Sequence, residues 1–183
     1  MSTSPTRTRS TARILVVLVA VITAVGALLA DYLIPASADQ HLHNAAWPPH
    51  AKFHDAQYIV MSILLGALAL ILLLRPGVSR ARIDTACAIL TVPWLGLLGA
   101  FLFPGTAIED PEFDNPQALG LHPQVLLALV LLVLLGVAVV LNRRVANGGD
   151  RRSEPTPGTG TGLPTVTLGG TLTEADVRSL EDE

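Results

Sequence analysis

Charge is what this sequence lacks. Only 15% of its 183 residues are Asp, Glu, Lys or Arg. None of these falls between Arg13 and Asp31, Asp55 and Arg75, Asp84 and Glu109, or Asp114 and Arg143, gaps of 17, 19, 24 and 28 residues. A water-soluble globule spreads charge far more evenly, and a disordered chain is much less apolar, so both classes are excluded. Cysteine occurs once, as Cys87. That excludes an internal disulfide and a CxxC redox centre, and with them the four-helix membrane thiol oxidoreductases. A net charge of −3 with no basic stripe excludes nucleic acid as a partner. No ionisable group stands at the centre of any gap, where ion-coupled pumps place theirs. Lysine occurs once, as Lys52, against eleven arginines. With many Ala, Gly, Leu and Val, that bias points to a GC-rich bacterial source.

The gaps are filled by apolar runs of a particular length. A bilayer core of ~30 Å takes about 20 helical residues. Four spans fit, at about 14–34, 56–74, 85–103 and 123–142. The fourth is an unbroken VLLALVLLVLLGVAVVL stretch opened by Pro123, which suits a first helical turn because its missing N–H has no intrahelical partner there. The third contains Pro93, expected to kink it, and Gly96 and Gly99, which with Gly66 of the second would let helices approach closely. β-branched residues are common, but no ten-residue segments alternate as a membrane barrel requires. The predicted fold is all-α: a polytopic membrane protein, a four-transmembrane-helix bundle with a disordered C-terminal tail.

Arginine placement orients it. The N-terminal tail (1–13) carries Arg7, Arg9 and Arg13; the second connection carries Arg75, Arg80 and Arg82; the fourth span is followed by Arg143, Arg144, Arg151 and Arg152. These segments are predicted to be cytoplasmic, both termini included. The first connection has three acids and one lysine, and the third has Glu109, Asp110, Glu112 and Asp114 with no base, so these two face outward. One alternative concerns the first span alone: basic residues, an apolar run and Ala36-Ser37-Ala38 also resemble a cleavable secretory signal. The segment 143–183 is rich in Gly, Pro and Thr and reads as a largely disordered cytoplasmic tail. Thr173 to Leu180 carry the polar start and acidic first turn of a short helix, which would suit a docking peptide.

All five histidines, His41, His43, His50, His54 and His122, fall in or beside the predicted outer connections. Pro48-Pro49 can start a helix, and a helix starting there puts His50 and His54 at i and i+4 on one face, with Gln57 and Met61 continuing it. Imidazoles so spaced can share a metal ion. The candidate functional cluster is His43, Trp47, His50, His54 and His122, and the metal candidates are His50, His54, His43 and His122, holding a transition metal or haem. Three uses of these histidines stay open: interfacial structure beside Trp47 and Phe53, ligation, and proton handling.

The string from Trp47 to His54, WPPHAKFH, resembles the signature of a family of small four-span membrane proteins without an established activity. Phe103-Pro104-Gly105-Thr106 and Asp110-Pro111-Glu112-Phe113 are similar to that family's second outer loop. The resemblance, over about 14–141, implies the architecture and no mechanism. An acetyltransferase label attached to some relatives finds no cofactor-binding or acyl-transfer motif here. Three functions follow in order: an integral membrane protein with an accessory or interaction role, a membrane enzyme or redox protein using the outer histidines, and a small-solute or lipid carrier. The bilayer is the expected partner, with a second membrane protein or another copy of the chain beside it.

Overall fold

The computed structural model describes residues 5–153, with side chains described for 8–144. The described chain is helical, with no strand and a single isolated bridge between Ala118 and Leu121. Helix α1 (Pro5–Leu28) continues into a π-helical turn, Leu29–Leu33. A short α2 (Pro35–Ala38) follows, then α3 (Pro49–Leu74), α4 (Arg80–Ala100) and α5 (Pro123–Ser153). Four segments are long and apolar enough to cross a membrane: Thr8–Leu33, Pro49–Leu74, Arg80–Ala100 and Pro123–Arg144.

The helix limits differ from the apolar windows for local reasons. α3 starts at Pro49, before residue 56, because Pro48 is extended and the Lys52 N–H already donates to its carbonyl at 3.3 Å. α4 starts at Arg80, before residue 85, because Ser79 caps it: its Oγ accepts the Arg82 N–H at 3.3 Å. The same helix ends at Ala100, with residues 101–103 in turns that lead to Pro104. α1 gives way to its π turn and stops at Ile34, extended as the residue before Pro35 must be. α5 runs past residue 142 to Ser153, since no proline interrupts it before Pro155. The expectations for residues 154–183, including the tail helix, lie outside the described residues.

Each long helix turns one face inward at a 3–4 spacing. On α3 it is Ile59, Ser62, Gly66, Ala69 and Leu73; on α5 it is Ala128, Leu131, Leu135, Ala138 and Asn142. Val16, Val19, Ala20 and Thr23 serve α1, and Ile83, Ala86, Cys87, Leu90 and Trp94 serve α4. Such spacing is what near-parallel helix packing needs. α1 packs mainly on α3 and α5, while α4 packs on the same two from the other side. Many inward residues are small, whereas the bulky Ile14, Leu64, Val92 and Val133 are more than half exposed. An apolar perimeter around a small-residue interior is the pattern of helices solvated by lipid.

Of the three glycines expected to mediate close approach, Gly66 does so. A methyl group there would stand 2.6 Å from Ala24 Cβ and 2.7 Å from the Ala20 carbonyl. Gly96 and Gly99 face open space. Pro93 is buried within a continuous α4. At the end of the helices where α4 begins, the Asn142 amide donates to Asp84 at 2.9 Å and to the Arg80 carbonyl at 3.1 Å, tying α5 to α4.

Candidate functional site

The two long connections meet at the other end of the helices. Trp47 donates its indole N–H to Asp110 at 2.9 Å. Gln40 and Asn115 exchange amide hydrogen bonds at 3.0 and 2.8 Å. Asn115 also donates to Glu109 Oε2 at 2.8 Å, and the same oxygen lies 3.8 Å from His122 Nε2. The loops are therefore cross-linked to each other.

Beneath them is a cavity of about 480 Å³. Gly26, Ala27, Ala30, Ile34, Trp94 and Leu127 make its apolar wall. Asp31, Gln40, His41, Tyr58, Asn115, His122 and Gln124 line its polar side. A second cavity of about 250 Å³ lies under the third connection and shares Gln40, His41, His122 and Gln124 with the first. At the floor Trp94 donates to Thr23 Oγ1 at 3.0 Å, satisfying a buried indole N–H. Trp94 thus serves both as a buried core residue and as a wall of the cavity.

Asp31 is the most buried acid of this site, only 5% exposed. It lies in the π turn, a distortion that often marks functional positions. It faces His41: the Nε2 of that ring is 3.6 Å from Asp31 Oδ1. The other ring nitrogen, Nδ1, is 2.9 Å from the Ser37 carbonyl. A carbonyl only accepts, so Nδ1 carries a hydrogen. His41 Nε2 then faces the Asp31 carboxyl, beyond hydrogen-bond distance but within ion-pair reach. Asp55 lies within electrostatic reach of both. An acid and an imidazole so placed, beside a cavity, can give or take a proton from a bound molecule.

The five residues singled out in the sequence do not gather in one place. His50 and His54 are together on α3, both exposed, with their Nε2 atoms 3.1 Å apart. His43 is apart from them, its ring edge-on to Tyr32 at 5.3 Å. His122 caps α5: its Nδ1 accepts the Gln124 N–H at 3.3 Å, leaving Nε2 toward Glu109. Trp47 bridges the loops and stands edge-on to His41 at 5.8 Å. No three His, Cys, Asp or Glu side chains among the described residues converge as metal ligands. His122 thus joins the cavity, away from the His50–His54 pair. Asp31, Gln40 and Asn115 were not singled out, and Asp31 had one visible signal: an acid closing an apolar run.

Among the described residues, these features define an all-helical membrane protein with four helices long and apolar enough to span a bilayer and a polar-sided cavity at one end. The chain belongs to a family of unknown function, DUF6640, whose model matches residues 15–153. No curated protein and no solved structure matches the chain.

Proposed function

We propose that this protein binds a small, partly apolar molecule in the 480 Å³ cavity and exchanges a proton with it through Asp31 and His41. The observation that carries this reading is buried Asp31 facing half-buried His41 and opening onto a pocket whose opposite wall is hydrocarbon. Binding sites are commonly apolar concavities of about 300–1,000 Å³ with a few fixed polar groups, which describes this cavity. Gly26, Ala27 and Leu127 would hold the apolar part, while the Gln40–Asn115 amides and the Asp31–His41 pair would take the polar head. Below Trp94 the core is made of residues such as Leu90, Leu131 and Val19, so the polar path a carrier needs is not open in this conformation. The arginine distribution supports placing the cavity on the extracytoplasmic side with both termini in the cytoplasm, and the preference for arginine over lysine supports a bacterial membrane. Retention of the first helix is supported by its share of the core and by Asp31.

The test is mass spectrometry of lipophilic molecules released from protein purified in native lipid particles. Wild type should carry a defined small molecule at near one per chain. Ala27→Trp, which fills the apolar wall, should lose it, while Asp31→Asn should keep the cavity yet abolish proton uptake or release on rebinding. Equal retention of bulk lipid by wild type and Ala27→Trp refutes the proposal.

A second reading, an accessory role through a membrane partner, is supported by Leu102 and Leu119, 85% and 90% exposed in the third connection. Bulky apolar side chains at a loop tip cost solvation unless lipid or protein covers them. Photo-crosslinking from position 119 in whole membranes distinguishes a discrete protein adduct from lipid adducts alone.

A further inference from the structure

Outside the cavity, the first turns of α3 hold a second constellation that the proposal above does not use. His50 and His54 are exposed and their Nε2 atoms stand 3.1 Å apart, ring centroids 4.5 Å apart and steeply inclined. His54 Nδ1 is 3.3 Å from the side-chain oxygen of Gln57. An amide oxygen accepts, so His54 Nδ1 carries the hydrogen and its Nε2 presents a lone pair toward His50. One hydrogen, on His50 Nε2, then occupies the space between the two rings.

We infer that this pair is a two-histidine site for a divalent transition-metal cation of the zinc, copper or nickel kind. Two imidazole nitrogens bound at about 2.0–2.1 Å to one ion stand about 2.9 Å apart at a right angle and about 3.3 Å apart at the tetrahedral angle. The observed 3.1 Å lies between those values, so the two nitrogens are already spaced for one ion, and each ring turns its lone pair off the line joining them to meet it. The cation takes the place of the hydrogen now between the rings, and the solvent-exposed His50 ring carries its hydrogen at Nδ1 instead. Gln57 then does what outer partners of ligating histidines do: it holds the His54 Nδ1–H and fixes that ring's direction. Phe53, edge-on to His54 at 5.6 Å, flanks the same ring. With two protein ligands on an exposed helical turn, the remaining positions on the ion are open to water or to an exogenous donor. Helix α3 itself pre-arranges the site, since i and i+4 side chains share a face.

The test uses the full chain in detergent, carrying a tag free of histidine, titrated calorimetrically with zinc chloride alone. Wild type should bind one zinc ion per chain saturably, and its thermal midpoint should rise with zinc. His50→Ala and His54→Ala should each weaken binding roughly tenfold or more, and the double variant should lose it; Gln57→Leu should weaken it by a smaller factor. His43→Ala and His122→Ala should bind zinc as wild type does. Unchanged melting of His50→Ala, His54→Ala and the double variant without metal shows that they fold, while His122→Ala, which removes the α5 cap, melts somewhat lower yet still takes up zinc. Zinc uptake by the double variant equal to wild type, no saturable uptake by wild type, or equal loss in His43→Ala each overturns the inference. The cavity variants bear on the earlier proposal separately, because none of them touches His50 or His54.

Discussion

A methyl group at Gly66 should loosen the contact between α1 and α3 more than any comparable change in the chain. The ideal Cβ would meet Ala24 Cβ at 2.6 Å and the Ala20 carbonyl oxygen and Ala24 nitrogen at 2.7 Å each. Carbon atoms rest at about 3.5–4.0 Å, so the new atom is roughly 1 Å too close. Two of the three obstacles are backbone and cannot rotate aside. The helices themselves must part, and overpacking of this kind costs about 1–3 kcal/mol, a large fraction of the roughly 5–15 kcal/mol by which folded chains are stable. Cys87 supplies the assay. It is the sole cysteine and 3% exposed, so a maleimide reaches it only when the helices open. Labelling of Gly66→Ala against rising temperature in detergent should reach half-completion well before wild type. Gly96→Ala and Gly99→Ala, where nothing lies within 4 Å, should be neutral or slightly stabilising, since alanine is the better helix former. Adding Ala24→Gly to Gly66→Ala should recover part of the loss, because the 2.6 Å clash goes while the backbone clashes stay. The consequence reaches the cavity: the π turn that continues α1 carries Asp31 and α3 carries Tyr58, about 12 Å along the helix from Gly66, so parting them widens the pocket. Labelling of Gly66→Ala no faster than that of Gly96→Ala would refute this packing.

Two further changes probe the structure around the cavity. Thr23→Val removes the acceptor of the buried Trp94 indole and should cost about 0.6–1.7 kcal/mol, the range for hydrogen bonds between membrane helices, measured by the same Cys87 labelling. Asn115→Ala removes the amide exchange with Gln40 and the bond to Glu109; limited proteolysis of the 101–122 connection should accelerate, by an amount matching roughly 1–3 kcal/mol. Rates of cleavage equal to wild type would show that the loops are held by something else.

Much of the fold is legible in the order of residues. Each charge gap matches a helix, Pro49 and Pro123 open helices as their missing N–H allows, and the i, i+4 relation of His50 and His54 follows from α3 starting where the two prolines place it. The site was less legible. The five histidines were visible as a group near the connections, but which of them approach one another depends on the loops. His41, passed over, sits against Asp31 because α2 turns back at Pro35. His122, grouped with the metal candidates, is turned away by capping its own helix. The Gln40–Asn115 exchange joins residues 75 positions apart, and no local pattern marks either one.

Sequence alone determined that the described chain is helical, that four of its helices are long and apolar enough to cross a membrane, and that Pro49 and Pro123 open two of them. Such properties are set by neighbours within a few residues: a helix satisfies its own backbone, and a run without charge needs no distant partner to prefer lipid. Tertiary structure decided that Asp31 is buried, that Gly66 rather than Gly96 or Gly99 takes the close contact, and that the connections enclose a polar-sided cavity. Those outcomes depend on how the helices rotate against one another, which the apolar runs leave open because hydrocarbon side chains all round a helix mark no preferred face.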